Sequence, residues 1–219
     1  YASRPDAAEA VARDVRAAGR RAAIVKADVA SEAEVRAMFA AIDRDLGRVD
    51  VLVNNAGILS PMSRFEETPE GQLETMFAVN VFGVVYATRE AIRRMSPRHG
   101  GKGGAIVNVS SIGAKMGGPN DNIPYAASKG AIEAMANGLA KQLAADGIRL
   151  NTVRPGLTHS DIHASVGDPE RVRKLEHTVP LGHRGADPSE IAAAILWLAS
   201  DEAAYCTGAV LDVHGGRSL

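Results

Sequence analysis

The sequence predicts an α/β fold in which helices cover both faces of a parallel β-sheet. Apolar, β-branched runs that are typical of buried strands alternate with helical patterns of about a dozen residues or more. Polar or turn-forming residues directly follow four of the predicted strands: Asp28, the turn at 54–57, Ser111 and the turn at 155–156. Because the carboxyl ends of parallel strands meet at one edge of a sheet, we expect these positions to share one rim.

The predicted elements follow one another along the whole chain. Glycines end the first two helices, because a glycine readily adopts the left-handed conformation that closes a helix. Ser31 and Glu34 form a capping-box pattern, and Pro124 is placed as an early helical residue. In chain order, the sequence predicts a helix that stops at Gly19, a strand at 22–27, a helix from Ser31 to Gly47, a strand at 50–53, a helix at about 70–94, a strand at 105–109, a helix that carries Tyr125 and ends near Gly147, a strand at 149–153, a helix near 190–198 and a strand at 209–213.

The composition argues against several classes of function. The 219 residues carry 25 Lys and Arg against 26 Asp and Glu, so we expect neither a nucleic acid nor an anionic membrane as a partner. No apolar run reaches membrane-spanning length, and no signal peptide is present. The single cysteine, Cys206, cannot form an intrachain disulfide, which fits a reducing compartment. We therefore expect one domain over residues 1–219 in the cytoplasm.

The clearest chemical signal follows the strand at 105–109. Ser110 and Ser111 stand where that strand ends, and a loop rich in Gly, Pro and Asn comes next. Tyr125 and Lys129 are four residues apart in the following helix, so both side chains lie on one helix face. A phenol has a reference pKa of about 10, but a nearby cation lowers that pKa. The sequence therefore predicts that Lys129 activates Tyr125 while Ser111 holds a substrate oxygen beside the phenol.

Further residues complete a pattern that runs through the chain: Asn54-Asn55-Ala56-Gly57, Asn80 in the long helix, Ser111, Tyr125 and Lys129, Pro155-Gly156, Thr207-Gly208 and Gly215-Gly216. With this pattern the sequence resembles the short-chain dehydrogenase/reductase family over essentially its whole length. Within that family it is similar to bacterial oxidoreductases of the glucose 1-dehydrogenase-like or 3-oxoacyl-carrier-protein-reductase-like type. The resemblance implies a Rossmann-type, doubly wound parallel sheet in a three-layer α/β/α arrangement.

The resemblance implies a role for each of four catalytic candidates. Tyr125 would be the general acid/base that moves a proton on or off the substrate oxygen, and Lys129 would lower its pKa and hold the nicotinamide ribose hydroxyls. Ser111 would hydrogen-bond the substrate oxygen. Ser110 is an alternative, because the loop before Tyr125 is one residue longer than the commonest family spacing. Asn80 would anchor a water that links Lys129 to solvent.

The resemblance also implies an NAD(P)(H) cofactor, whose chemistry is hydride transfer. The family places an acid near Ser3 and Arg4 when it binds the ribose 2′-hydroxyl of NAD, but this chain has no acid before Asp6. An arginine can form paired hydrogen bonds to a phosphate, so we expect NADP(H) in preference to NAD(H). NAD(H) stays open as the alternative cofactor. The implied cofactor-binding residues are Ser3, Arg4, Asp28, Val29, Asn55, Ala56, Gly57, Tyr125, Lys129, Pro155, Gly156, Thr158 and Ser160.

One family feature is absent from the sequence, namely the glycine-rich turn that receives the pyrophosphate at a helix N-terminus. A βα unit takes about 30 residues or more. We therefore expect that the first βα unit is missing and that the chain as given starts near the end of the second strand. These residues alone are expected to bind a dinucleotide poorly. A substrate lid is expected at about 157–186.

The remaining expectations concern assembly, metals and activity. The helix around 76–86 is apolar nearly all round, so we expect it to pack against a symmetry mate in a homodimer or homotetramer. His159 and His163 are four residues apart but lack the glutamate of a metalloprotease helix, so we expect no metal. The predicted activity is interconversion of a small-molecule alcohol and a ketone or aldehyde. The alternative is a non-catalytic dinucleotide-binding redox sensor or a structural protein.

Overall fold

The computed structural model describes residues 1–118 and 122–219, and within them four strands form one parallel sheet. The sheet order is β1-β2-β3-β4, where β1 is Val51–Asn54, β2 is Gly104–Val109, β3 is Ile148–Pro155 and β4 is Val210–Val213. Helices cover both faces, which confirms the predicted three-layer α/β/α fold. All four carboxyl ends lie at one edge, where the polar residues that follow the strands collect.

Helices connect the strands along the chain. The α-helices are α1 (Pro5–Ala17), α2 (Glu32–Asp45), α3 (Gln72–Phe77), α4 (Gly83–Met95), α5 (Ile112–Met116), α6 (Ile123–Leu143), α7 (Arg171–Leu175) and α8 (Pro188–Ala199). Single turns of 3₁₀ helix lie at Phe65–Glu67, Pro97–His99, Ala144–Asp146, Ala164–Val166, Glu176–Thr178 and Asp201–Ala203. The predicted helices and the last four predicted strands match these elements to within a few residues at each end.

The core consists of two apolar layers, one on each face of the sheet. Side chains alternate between the faces of a strand, so Ile106 faces α4 and α6 while Val107 faces α8. Leu150 and Val153 of β3 divide between the two layers in the same way. Each of these residues is fully buried, which stabilises the fold by about 1.5–3 kcal/mol per side chain.

The predicted strand at 22–27 is not a strand in the structure. Within the described residues the Ala22 carbonyl oxygen accepts from the Arg16 side chain at 3.1 Å. The segment's only backbone partner there is Tyr1, whose amino group donates to the Val25 carbonyl oxygen at 2.9 Å. The Ala27 N–H donates back to the Tyr1 carbonyl oxygen at 2.9 Å. A β-ladder requires a run of paired residues, and this single contact does not provide one. The segment is therefore an extended connection between α1 and α2.

The predicted capping box of α2 forms only in part. The Ser31 hydroxyl accepts from the Glu34 N–H at 3.3 Å, as the pattern requires. The Glu34 carboxylate does not return to the Ser31 N–H but accepts from the Asp28 N–H at 2.9 Å. Glu34 therefore fixes the turn that precedes the helix, next to a residue that the sequence analysis placed at the cofactor.

The long helix predicted at about 70–94 begins at Gln72 and contains a wider turn. Between α3 and α4 the segment Ala78–Phe82 is a π-helical turn, a distortion that often accompanies functional sites. Asn80 lies in this turn and is fully buried. The extra residue in the turn rotates Asn80 toward the loop that follows β1.

The predicted loop between Ser111 and Tyr125 is partly helical. Ser111 caps α5 by accepting from the Gly113 N–H at 3.0 Å. Residues 119–121, which carry the Pro-Asn-Asp part of the predicted loop, lie outside the described residues. The short helix α5, which Ser111 caps, packs against α6.

Candidate active site

Ser111 and Tyr125 face each other across the space beside Gly113. The Ser111 hydroxyl lies near enough to the Tyr125 phenol to lower its pKa, against the larger effect of burial. A Cβ atom at position 113 would lie 3.3 Å from Ser111 Oγ and 3.7 Å from the Tyr125 ring. Because glycine has no Cβ, it leaves this space open beside both hydroxyl groups. The predicted pair of residues is brought together by β2 on one side and α6 on the other.

Lys129 lies behind Tyr125 on α6. Its side chain is buried, with 4% of the residue exposed. Nζ lies 5.6 Å from the centroid of the Tyr125 ring and donates a hydrogen bond of 2.8 Å to the Val109 carbonyl oxygen. The spacing of four residues thus places both side chains on the helix face that meets the end of β2, as predicted.

The pKa values of this pair differ from the expectation. Burial raises the pKa of Tyr125 to about 12, and the hydrogen bond from Ser111 opposes that rise only in part. Burial also lowers the pKa of Lys129 to about 8. The pKa of Tyr125 is therefore raised overall and not lowered, because desolvation of the phenolate is the largest effect, and a lowering contribution from Lys129 stays a prediction. Tyr125 is therefore a protonated phenol at neutral pH.

Asn80 fixes the loop that follows β1. Its Oδ1 accepts from the Ile58 N–H at 2.8 Å, and its Nδ2 donates to the Ile58 carbonyl oxygen at 2.9 Å. Nδ2 also lies 3.1 Å from Ser128 Oγ, which joins the π-helical turn to α6. A Cβ atom on Gly57 would come within 3.3 Å of both Asn80 Oδ1 and Lys129 Nζ. Asn80 and Lys129 therefore converge on the same glycine.

Ser110 points away from Tyr125. It is 3% exposed, and its hydroxyl donates to Glu133 Oε1 at 2.5 Å. Successive residues at a strand end project to opposite sides, so only one of the two serines can reach Tyr125. The structure places Ser111 there and not the alternative, Ser110.

Asn122 is a site residue that the sequence analysis missed. Its Oδ1 accepts from the Tyr125 N–H at 3.1 Å and thereby caps α6. The same side chain exchanges two hydrogen bonds with Ser60: Nδ2 donates to the carbonyl oxygen at 2.6 Å, and the Ser60 hydroxyl donates to Oδ1 at 2.9 Å. An asparagine two residues before Pro124 is a recognisable N-cap signal. Asn122 therefore fixes where the helix of Tyr125 begins.

Comparison with known proteins decides the family. The family model described as enoyl-(acyl carrier protein) reductase matches residues 1–218. An uncharacterized oxidoreductase of Escherichia coli, YgfF, is 42% identical over 217 residues, which are 99% of this chain and 87% of that protein. The chain belongs to the short-chain dehydrogenase/reductase family.

Other relatives of this family carry the names of specific dehydrogenases. L-rhamnose 1-dehydrogenase (NAD(P)(+)) of a Sphingomonas species is 37% identical over 99% of this chain and 84% of that protein. The 3beta-hydroxysteroid dehydrogenase 1 of Eggerthella lenta is 39% identical over 100% of this chain and 82% of that protein. A solved short-chain dehydrogenase/reductase of Serratia marcescens superposes with a TM-score of 0.90 at 34% identity, covering 100% of this chain and 86% of that one.

Asn54 and the residues after it divide into a structural part and an open part. Asn54 Nδ2 donates to Asn108 Oδ1 at 2.8 Å and to Thr88 Oγ1 at 3.1 Å, so this side chain ties β1 to β2 and α4. Asn55 and Ala56, which the resemblance assigned to the cofactor, are exposed just beyond it. The turn of this short-chain dehydrogenase/reductase thus holds its first residue in the core and presents the next two at the rim.

Asp28 and Val29 occupy different environments. Asp28 is exposed, and its Oδ1 accepts from the Ala30 N–H at 2.9 Å. Val29 is half-buried against α4, where a Cβ atom on Gly83 would lie only 2.9 Å from Val29 Cγ2. Asp28 is therefore open to a ligand, whereas the Val29 side chain is occupied by helix packing.

The turn after β3 is held by the end of β4. The Gly156 N–H donates to the Val213 carbonyl oxygen at 2.9 Å, and a Cβ atom at 156 would lie 2.6 Å from His214 Cα, so only glycine fits there. Thr158 Oγ1 donates to the Gly156 carbonyl oxygen at 3.1 Å. Pro155 closes β3, and Ser160 is exposed two residues beyond Thr158.

Arg4 and Ser3 lie at the exposed start of α1. The Arg4 guanidinium forms an ion pair with Asp161, which belongs to the segment predicted as the lid. Both side chains are largely exposed to solvent, so this pair contributes little to stability. Ser3 forms a bend just before the helix. A phosphate that approached Arg4 would compete with Asp161 for the guanidinium.

The rim of the sheet fits a dinucleotide at its two ends. The missing Cβ of Gly57 leaves a space that Lys129 Nζ and Asn80 Oδ1 border. Asp28 and Arg4 each present an exposed charged group of the kind that binds a ribose or a phosphate. Residues 1–219 contain no glycine-rich turn after a strand, so the centre of the dinucleotide has no counterpart in the sequence.

The described residues contain neither a cluster of metal ligands nor a membrane-spanning helix. No group of three or more His, Cys, Asp and Glu side chains is arranged around a metal-sized space in residues 1–118 and 122–219. Over the same residues, every helix is too short or too polar to span a membrane. Cys206 is half-buried, and its Sγ lies 3.6 Å from Asn151 Oδ1, a packing position.

Proposed function

We propose that this protein is an NAD(P)(H)-dependent oxidoreductase that interconverts an alcohol and a ketone or aldehyde, with Tyr125 as the general acid/base. The observation that carries the proposal is that the Ser111 hydroxyl and the Tyr125 ring border the same space beside Gly113, next to the buried ammonium of Lys129. A substrate oxygen in this space would meet two hydroxyl donors at once. The named dehydrogenases among the relatives support this reaction class.

The chain supplies proton transfer and orientation. In the reducing direction the Tyr125 phenol, which is protonated at neutral pH, donates its proton to the carbonyl oxygen of the substrate. In the oxidising direction the phenolate takes the proton of the alcohol. Ser111 donates a hydrogen bond to the same oxygen and holds it in position. NAD(P)(H), when bound, gives or accepts the hydride.

Lys129 and Asn80 support the reacting groups. The Lys129 ammonium stabilises negative charge on the phenolate oxygen when it forms, because opposite charges favour each other's charged state. The same ammonium is proposed to hold the nicotinamide ribose hydroxyls through the space beside Gly57. Asn80 fixes Ile58 and thereby the loop that borders this space. A water held by Asn80 would carry protons between Lys129 and solvent, as the resemblance implies.

The cofactor residues remain those that the resemblance implied, with NADP(H) preferred. Arg4 is proposed to bind the 2′-phosphate and Ser3 to border it, while Asp28 and the Val29 backbone contact the adenine. Asn55, Ala56 and Gly57 would border the adenosine and ribose. The backbone of Pro155 and Gly156 would meet the nicotinamide end, together with the hydroxyl groups of Thr158 and Ser160.

The substrate pocket is proposed to lie under the segment at about 157–186. Leu157, Val172 and Val179 form a small buried cluster inside that segment, so it has a core of its own. A β-bridge between Thr158 and Ala186 holds the two ends of this segment side by side. A folded flap of this kind, anchored at both ends, is suited to cover a small-molecule substrate. Sugars, steroids, acyl thioesters and small ketones all remain candidates.

A homodimer or homotetramer in the cytoplasm completes the proposal. Phe82 is 50% exposed and stacks on Tyr86, with ring centroids 6.4 Å apart. Tyr86 packs partly against the core, whereas the Phe82 ring is open to solvent, where a second copy would bury it. Light scattering at micromolar concentration tests the assembly, and a monomeric mass contradicts it.

The test is a screen of the protein with NADP⁺ and NAD⁺ against panels of alcohols, and with NADPH and NADH against panels of carbonyl compounds. The proposal is supported if the absorbance of the reduced nicotinamide rises or falls with any substrate and this change is absent in Tyr125→Phe. Binding of cofactor, seen as a change in nicotinamide fluorescence, without turnover on either panel favours the redox-sensor alternative. Absence of both binding and turnover contradicts both.

A further inference from the structure

A partly buried cluster of charged side chains lies behind the candidate active site, between α6, β3 and β4. Glu133 of α6 accepts from Arg154 Nε at 2.8 Å through Oε1 and from Arg154 Nη2 at 2.6 Å through Oε2. This is the paired geometry in which a guanidinium holds a carboxylate most firmly. The Glu133 and Arg154 side chains are 11% and 20% exposed. The carboxylate is therefore fixed in orientation and shielded from bulk water.

Lys129 lies one helical turn before Glu133 and has no ion-pair partner of its own in the described part of the chain. The acceptor of its Nζ is the Val109 carbonyl oxygen, a neutral group. An ammonium buried without a countercharge is costly, and a lysine in this position tends to lose its proton. A nearby negative charge that does not contact the ammonium directly can still keep it protonated.

Ser110 connects the carboxylate to the acceptor of Lys129. Its hydroxyl donates to Glu133 Oε1 at 2.5 Å, and its N–H donates to the Val153 carbonyl oxygen at 2.8 Å. The Val109 carbonyl, which accepts from Lys129, and the Ser110 N–H belong to the same peptide group. Glu133 therefore holds that peptide in place and supplies a negative charge behind it.

We propose that Glu133 is a positioning residue, whose carboxylate, clamped by Arg154 and Ser110, supplies the countercharge that keeps Lys129 protonated. The inference rests on the proposed function, in which the Lys129 ammonium supports the phenolate of Tyr125. It goes beyond that function because Glu133 touches neither the substrate nor the cofactor.

The other charged and titratable groups around this region do not replace Glu133. Tyr125 shares α6 with Lys129 and is neutral at neutral pH. Arg154 of β3 and Lys115 of α5 both contact Asp212 of β4, at 3.2 Å and 3.3 Å. Asp212 is thus engaged by two cations. The pKa of Lys129 is lowered by burial and raised by Glu133, in agreement with this arrangement.

The experiment compares two neutral variants of the same network, Glu133→Gln and Asp212→Asn, in the protein without cofactor or substrate. Glutamine keeps the shape and can still accept hydrogen bonds from Arg154 and Ser110, but it removes the charge. Asp212→Asn removes a carboxylate that binds the same guanidinium through Nη1 at 3.2 Å. The titration of Lys129 is followed by NMR of ¹³C-labelled lysine side chains, with its signal assigned from its loss in Lys129→Met.

The expected result is a midpoint for Lys129 that falls by about one pH unit in Glu133→Gln and stays unchanged in Asp212→Asn. In active protein, the alkaline limit of kcat should move to lower pH by the same amount in Glu133→Gln alone. Glu133→Asp, which keeps the charge, should retain a midpoint close to that of the unaltered protein. Should Glu133→Gln fail to fold, the double variant Glu133→Gln with Arg154→Gln takes its place, with a smaller expected fall, because the lost guanidinium charge opposes the effect of the lost carboxylate.

An unchanged Lys129 midpoint in the folded neutral variant, or an equal fall in Asp212→Asn, overturns the inference and leaves Glu133 as a brace between α6 and β3. These outcomes are separate from a failure of the proposed function. The NMR titration needs no turnover, whereas failure of the function appears as an unaltered protein without hydride transfer on any substrate.

Discussion

Asn80 holds the backbone of Ile58 at both its polar groups, with one hydrogen bond of 2.8 Å to the N–H and one of 2.9 Å from the side-chain amide to the carbonyl oxygen. The two bonds join the π-helical turn to the loop after β1. A second asparagine, Asn122 at the start of α6, holds the same loop two residues further on, at Ser60. Two buried amides therefore fix the position of one wall of the candidate site.

Replacement of Asn80 should destabilise the fold as well as the site. In Asn80→Ala the Ile58 N–H and carbonyl lose their partners in a largely buried region, which should lower the free energy of unfolding by about 2 kcal/mol. Urea denaturation measures this loss. Asn137→Ala, at an exposed position of α6, is the control and should change the free energy of unfolding by less than about 0.5 kcal/mol. Equal effects of the two substitutions would contradict the role assigned to Asn80.

The stability of the protein should fall at alkaline pH because of Tyr125. Its pKa is raised from 10.0 to about 12, so between these pH values the unfolded chain releases a proton that the folded chain keeps. The stabilisation present below pH 10 is then lost as the pH rises through 12. In Tyr125→Phe the fall in the free energy of unfolding over this pH range should be smaller by about 2 kcal/mol. Chemical denaturation across this range measures it.

Tyr205→Phe provides the matched control for that titration. Tyr205 is fully exposed, so its substitution should leave the slope of stability against pH unchanged. A protein in which both phenylalanine variants follow the unaltered slope would show that Tyr125 is not buried as a neutral phenol.

Ser111 should contribute to turnover through the oxygen of the substrate. Ser111→Ala removes the hydroxyl that borders the space beside Gly113 together with the Tyr125 ring, and kcat should fall by about 10²-fold. Steady-state kinetics on the best substrate of the screen measures this. Ser200→Ala removes a hydroxyl that bonds only the Trp197 carbonyl oxygen in α8, and kcat should stay the same. Full activity in Ser111→Ala would exclude Ser111 from the reaction.

Arg4 should decide the preference between the two nicotinamide cofactors. Arg4→Ala should raise KM for NADP⁺ by about tenfold, because hydrogen bonds to a charged phosphate are lost. KM for NAD⁺ should stay constant, since NAD⁺ has no 2′-phosphate. Arg20→Ala, also exposed, is the control for a general change of surface charge. An equal rise of KM for both cofactors would contradict a specific phosphate contact.

The fold and the central residues of the site could be predicted because they depend on spacing along the chain. Four residues between Tyr125 and Lys129 place both on one helix face, and parallel strands bring Ser111 to the same rim. The direction of the pKa shift of Tyr125 could not be predicted, because spacing places a cation nearby but does not show how far burial outweighs it. Asn122 carries an N-cap pattern that the sequence analysis did not use.

Other errors have the same origin in long-range contacts. The segment at 22–27 has the composition of a strand, but a strand also requires a paired neighbour, which sequence composition does not reveal. The capping-box pattern predicts a hydrogen bond from the Ser31 N–H to the Glu34 carboxylate, but in the structure that carboxylate accepts from the Asp28 N–H. Glu133 gave no signal in the sequence, because its significance depends on Arg154 of β3 and Ser110 of β2 meeting it in space.

The central claim is that the Tyr125 hydroxyl transfers the proton to and from the substrate oxygen. Turnover of Tyr125→Phe, measured beside the unaltered protein with the same cofactor and substrate, tests it most directly. We predict that kcat falls by about 10²–10⁴-fold while circular dichroism and cofactor binding stay the same. A phenylalanine variant that folds, binds cofactor and turns over at the rate of the unaltered protein would contradict the claim.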